Sequence, residues 1–361
     1  MNRDHPFVVN ILGDLNAMTT HSKFELISKI WPNAALSGPA FRESEYMAFL
    51  AHLNQEFSHL KQEQSEVAAE SVQGIIELIS LLRNNLSEGR NKIAQEFRDR
   101  FPDLDDFTLS RTMELVVRLW LTTRVALNEG FPKPIQTAFG SLEWPAEISL
   151  REAVHSQFAL VDPADNVDKY FSPGLDPSLT ASALVDICGI KLAWTSNLMD
   201  HLRLDKRHRV LTVYEHKICL LNHIKGDDSP FPLGFLQETI DTLNLLFPFG
   251  HGPTRELLRR ENKLALYGLG TCNRDRRLSF GDYRVWRVQM ASIVDVFNEP
   301  PRNWWQLLSD RRNLREWATF WLGPMVLILT IVSIVTGTVS SVYAVKQYNL
   351  ACAQACAACA M

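Results

Sequence analysis

The chain has 361 residues, 46% of them hydrophobic and 22% charged, with a formal net charge of −4. That length can bury a sizeable core in one large domain or two, and that apolar content excludes a disordered chain. Between His251 and Glu316 stand 13 Lys/Arg against 8 Asp/Glu, a local +5 within the overall −4; so mild a bias, with no basic stripe interleaved with aromatics, excludes nucleic acid as partner.

At the N-terminus, "FVVNIL" is too short for the apolar region of a signal peptide, and no small-residue cleavage site follows. The bulk of the chain is therefore expected in the cytosol, with Cys188, Cys219 and Cys272 as reduced thiols. From Glu43 to Leu86 the pattern is helical, broken at "KQEQSE", with Ile75, Ile76, Ile79 and Leu82 on one face. "FPDLDDFTLSRTMELVVRLWLTTRVAL" is the clearest amphipathic helix: Asp106 or Thr108 can cap it, Met113, Val116, Val117, Trp120 and Leu121 line its apolar face, and Glu114 and Arg118 form an i,i+4 pair. Residues 129–178, rich in Pro and Gly, read as loops around one short helix, "SLREAVHSQF", and offer a sub-boundary. "ICGIKLAWT" and "RVLTVYEH" alternate like strands and predict a small antiparallel β element. Helices resume in "FLQETIDTLNLLF", in "PTRELLRRENKLALYG" with Pro253 in its first turn, and in "DYRVWRVQMASIVDVF".

The strongest signal lies at residues 317–345, "WATFWLGPMVLILTIVSIVTGTVSSVYAV", which carry no charge. A bilayer core of ~30 Å needs about 20 helical residues, so this run is long enough to span. Trp317, Trp321 and Tyr343 stand near its ends as an aromatic belt. Arg302, Arg311, Arg312 and Arg315 precede it and Lys346 follows, so the positive-inside bias keeps the preceding residues cytosolic. The expected organisation is mainly α: a multi-helix cytosolic domain over 1–310, a basic juxtamembrane segment at 311–316, one transmembrane helix at 317–345 and a Cys/Ala-rich tail at 346–361. With the span this close to the end, the reading is a tail-anchored, single-pass protein of the endoplasmic reticulum or another endomembrane. Ser333, Gly337 and Ser341 repeat at i, i+4, i+8, a small-residue face on which two such helices can associate; the same residues also fit ordinary membrane-helix composition.

"GIKLAWTSNLMDHLRL", "LTVYEHKICLLNHI", "FTLSRTMELVVRLWL" and "WWQLLSDRRNLREWATFW" together resemble an uncharacterised family of filamentous-fungal proteins, as scattered signatures over about three-quarters of the chain. The resemblance implies a mostly helical protein with a single C-terminal span and brings no catalytic assignment. Some members accompany secondary-metabolite gene clusters, which implies an association with that metabolism. The family's post-span segment is short and polar-aromatic; "ACAQACAACAM" departs from it, so nothing about the tail cysteines carries over.

Candidate chemistry centres on "DHLRLDKRHRVLTVYEHKICLLNHI". If its last part is helical, His216, Cys219 and His223 share a face at i, i+3, i+7, as zinc ligands could; no tight H-x₃-H or C-x₂-C spacing supports it. Asp200 and His201 offer an acid–base pair, with His216 a further candidate, but neighbours on a helix point apart and need a third group to organise them. Asp103, Asp105 and Asp106 could hold magnesium, although helix capping explains them as well. Gly268 and Gly270 lack the strand–loop–helix setting of a phosphate cradle. Arg274, Arg276, Arg277, Arg284 and Arg287 read as a solvated face or one lying against anionic lipid. The tail thiols Cys352, Cys356 and Cys359 fall at i, i+4 and i+7; beyond the membrane they could clamp a parallel dimer by a disulfide, or be small filler. No cofactor is predicted. The function expected is a membrane-anchored interaction or accessory protein, with the bilayer, a second copy and an unknown protein as partners. The alternative is an anchored enzyme or accessory factor of fungal secondary metabolism that uses the Trp194–His223 region.

Overall fold

The computed structural model describes residues 15–32, 41–62, 71–102, 105–127, 140–158, 174–299 and 314–359. The N-terminal stretch, Asp103, Arg302, Arg311, Arg312 and much of the loop-rich 129–178 lie outside the described residues, as do the side chains of Arg315, Trp317, Cys356 and Cys359. The chain divides into two units, 1–299 and 300–361.

In the first unit, helices begin where a short polar side chain can accept an otherwise unpaired N–H. Thr19 starts α1 (Thr20–Ile30), and Ser71 starts α3 (Val72–Asn84) after α2 (Glu43–Gln62) has ended. Of the break foreseen at "KQEQSE", Lys61 and Gln62 still belong to α2 and the rest lies outside the described residues; Ile75, Ile76, Ile79 and Leu82 are all buried. After α4 (Arg90–Arg100), the cap of α5 (Asp106–Leu121) is Asp105 rather than Asp106 or Thr108. Asp105 keeps an extended backbone and takes the Thr108 N–H at 3.2 Å, whereas Asp106 is already helical and meets Arg98 at 2.5 Å. Met113, Val116, Val117, Trp120 and Leu121 are buried as their spacing requires. Two short strands, β1 (Val125–Ala126) and β2 (Leu142–Glu143), pair in parallel ahead of α6 (Leu150–Gln157), which opens with a reciprocal Ser149/Glu152 capping box.

After α7 (Ala181–Asp186) comes a three-stranded sheet of order β3-β5-β4, formed by β3 (Lys191–Thr195), β4 (Leu204–Asp205) and β5 (Val210–Tyr214). Its antiparallel part is the β4–β5 hairpin. The two longer strands, expected to pair antiparallel, run parallel, with Leu192 opposite Leu211. A 3-10 turn at Leu198–Asp200 reverses the chain once and the hairpin reverses it again, so β5 leaves in the direction of β3.

Helices α8 (Lys217–Lys225) and α9 (Leu233–Leu246) pack together at the centre of the core. The stretch expected as one helix from Pro253 is two, α10 (Gly252–Arg260) and α11 (Leu264–Gly268). Asn262 between them has φ 57°, a left-handed conformation that asparagine tolerates and that ends a helix. In α12 (Arg287–Asn298) Met290, Ile293 and Phe297 are buried, as are Tyr283 and Trp286 just before it.

Almost every residue of α9 from Phe235 onward is buried, and several of its polar side chains hold other segments. Glu238 accepts the N–H groups of Val285 and Trp286 at 3.1 and 2.8 Å, closing the start of α12. Asp241 takes Arg274 in a two-pronged pair at 2.6 and 2.5 Å, and Arg277 at 3.2 Å. Arg276 donates to three backbone carbonyls, those of Pro177, Leu179 and Leu245. Arg274 and Arg276 are thus tied inward, whereas Arg277 and Arg284 stay exposed to solvent. Lys217 is buried and donates to Asn244 and to the Gly270 carbonyl at 2.8 and 2.7 Å, so the Gly268–Gly270 turn wraps a lysine amine.

The described residues of the second unit form one continuous helix, α13 (Leu314–Cys359). Its stretch Phe320–Ala353, whose most apolar 18 residues have mean hydropathy 2.2, is long and apolar enough to cross a membrane, and buries none of its side chains. The hydroxyls of Thr330, Thr336 and Thr338 donate back to carbonyls of their own helix, as a lipid surrounding requires. The helix runs past residue 345, and its backbone carries on through the tail to Cys359.

Candidate functional site

The candidates foreseen around residues 200–223 stand in the core, and their side chains turn to different partners. His201 is 1% exposed; its Nδ1 accepts the Tyr214 N–H at 3.2 Å, so Nε2 carries the proton and donates to Thr242 Oγ1 at 2.8 Å. Asp200 turns the other way, to Asn197 Nδ2 at 2.9 Å and Arg203 at 3.2 Å. His216 is not in α8 but is its N-terminal flanking residue, so the i, i+3, i+7 face exists for Cys219 and His223 only. His223 lies at 3.3 Å from the Trp120 carbonyl, among the rings of Trp31, Trp120 and Phe231. Among the described residues no group of three His, Cys, Asp or Glu could hold a metal ion. Ser333, Gly337 and Ser341 are exposed on α13, and a Cβ added at Gly337 would meet nothing within 4 Å.

A cavity does open beside this core. A cleft of about 720 Å³ is lined by α2, by α5 and the turn that follows it, and by the end of β3. From α2 come His52, Glu56 and His59, spaced i, i+4, i+7 and so on one face. From α5 and its exit come Arg111, Arg118 and Arg124; from the sheet, Trp194 to Asn197 and Glu215.

The walls are fixed by specific bonds. Thr122 ends α5 in a left-handed conformation, φ 49°, and its hydroxyl is 2.5 Å from the buried Tyr214 hydroxyl. Asn197 is the joint between elements: its Oδ1 accepts the Arg124 N–H at 3.0 Å and its Nδ2 donates to the Gly140 carbonyl at 2.6 Å. Gly140 has φ +80°, and a Cβ there would come within 2.4 Å of Asp200 Oδ1, so the approach demands glycine. Glu56 pairs with Arg118 at 2.7 Å. Glu215 pairs with Lys263, whose amine stands over the Trp194 ring. Both carboxylates of the cleft therefore already have cationic partners.

Beneath the cleft His52 faces His216, ring centroids 5.4 Å apart, with Phe49 and Tyr214 edge-on around His216. Burial pushes the His52 imidazole down to about 4 and the His216 imidazole well below its ordinary range, so both are neutral at pH 7. Three nitrogens of this pair are buried without a hydrogen-bond partner: Nε2 of His52 and both ring nitrogens of His216. Nε of Arg118 is in the same condition. Buried polar atoms are nearly always bonded, so such a cluster marks a place where a further polar group fits. No protein-family model, curated protein or solved structure matches the chain.

Proposed function

We propose that the protein is a membrane-anchored interaction or accessory protein: its helical unit serves a partner at a membrane surface, and α13 supplies the anchor. The observation that carries this reading is α13, whose apolar stretch Phe320–Ala353 buries none of its side chains. A bare apolar surface of that extent is not tolerated in water. The packed surroundings of Asp200, His201 and His216 favour a structural role for them over chemistry. Positive-inside bias supports a cytosolic location for the first unit on an endomembrane, and the Ser333/Gly337/Ser341 face supports pairing of two copies within the bilayer.

The test is fractionation of the full chain from cells, beside a version ending at Glu299. The full chain is expected to stay with membranes through alkaline carbonate and to need detergent for release, whereas the shortened chain loses that retention. Release of the full chain by carbonate alone overturns the anchor. The alternative, an anchored enzyme or accessory factor of secondary metabolism, draws support from the cleft, which includes Trp194 and Glu215 of the region singled out in the sequence.

A further inference from the structure

Two partnerless buried atoms belong to residues that line the cleft itself: Nε2 of His52, a residue only 7% exposed, and Nε of Arg118. Arg118 places one terminal nitrogen on Glu56 and its side chain stays one-third exposed, so the guanidinium keeps further N–H donors beyond that pair. Arg124, exposed at the exit of α5, brings a second guanidinium to the same cavity. With Glu56 and Glu215 already matched by Arg118 and Lys263, carboxylates do not oppose an incoming anion. The neutral imidazole of His52 can accept or donate one more hydrogen bond.

We propose that the cleft is a binding site for a phosphate group carried on a small organic body, with Arg118 and Arg124 holding the phosphate and His52 a polar group of the bound molecule. Phosphate is preferred to carboxylate on geometry. The two guanidiniums come from a helix and from the turn beyond it, and a tetrahedral oxyanion offers oxygens in several directions, whereas a planar carboxylate suits one arginine fork. A volume of about 720 Å³ holds a small metabolite or a lipid headgroup alike.

The experiment is calorimetric titration of the full chain in neutral detergent micelles with inorganic phosphate and, separately, with acetate. Saturable one-site binding of phosphate, with acetate much weaker, is expected. Arg124→Ala should weaken phosphate about tenfold or more, since it removes a charged hydrogen-bond donor. Arg124 is exposed, so this variant should fold; an unchanged thermal melt verifies that. His52→Phe should leave phosphate binding within about threefold but weaken glycerol phosphate more, because only the organic body reaches His52. Displacement of phosphate by vesicles containing phosphatidic acid, and not by phosphatidylcholine alone, assigns the group to a lipid headgroup; displacement by glycerol phosphate only assigns it to a soluble ester. Absence of saturable phosphate binding, equal binding of acetate, or an Arg124→Ala variant of undiminished affinity overturns the proposal. None of these outcomes depends on membrane retention, so the site and the anchor are judged separately.

Discussion

His52, His201, His216 and His223 are all buried, and burial holds them neutral: His52 and His223 titrate near about 4, His201 near about 3, and His216 well below the ordinary range. A histidine with a depressed folded pKa binds fewer protons in the folded chain than in the unfolded one. Its contribution to stability is whole above the ordinary value of 6.5 and is lost as pH falls from there toward the folded value. Each costs up to about 1.4 kcal/mol per pH unit in that window. The urea midpoint of the full chain in detergent should therefore drop steeply between about pH 6.5 and about pH 4. His201→Gln should start from a lower midpoint and fall less steeply; an unaltered slope refutes the assignment. At Gly140, alanine is expected to cost about 1–3 kcal/mol, from a positive φ and a collision with Asp200, read as a lowered melting temperature. Of these residues the sequence announces the histidines but not their company. His201 is next to Asp200 in the chain, yet it bonds to Thr242 and to the Tyr214 amide, contacts that only the folded chain creates. One signal was available and missed: "HLNQEFSH" sets His52, Glu56 and His59 on one helix face.

At the scale of elements, α9 organises the first unit because its buried polar side chains reach several other segments: Glu238 and Thr239 hold the start of α12, Asp241 and Asn244 the 271–277 loop, and Thr242 meets His201. Asp241 is 3% exposed and faces both Arg274 and Arg277, so Asp241→Ala leaves a partly buried guanidinium unpaired. The expected loss is about 3 kcal/mol, seen in the urea midpoint and in earlier proteolysis of the 271–279 loop. A loss under about 0.5 kcal/mol would show that the pair contributes no more than a surface one. Helices such as α3 and α5 were legible because apolar spacing and caps are local properties. Strand direction was not: nothing in "ICGIKLAWT" says that a hairpin will interpose β4 and turn the partner parallel. The α10–α11 break was hidden because it depends on one left-handed asparagine in an otherwise helical stretch. The cleft was illegible for a simpler reason, that its walls come from α2, α5 and β3, segments far apart in the chain.

For the whole molecule, the separation into a polar-surfaced helical unit and an apolar helix was the plainest message of the sequence, because a charge-free run needs no partner to be recognised. A charge placed in that run tests its setting. Val332→Arg, near the middle of Phe320–Ala353, should reduce membrane integration, at a cost of about 2.5–3.5 kcal/mol on insertion scales. Integration equal to the parent helix would mean that residue 332 does not sit in hydrocarbon. Helix α13 also has a reach that its composition does not advertise. Its 46 residues extend about 69 Å, and the charge-free run 317–345 alone about 44 Å, against a hydrocarbon core of ~30 Å. In a bilayer such a run has length to spare, which tilt can take up. The same length should let the helix seat in bilayers of unequal thickness, tilting more in a thin one than in a thick one.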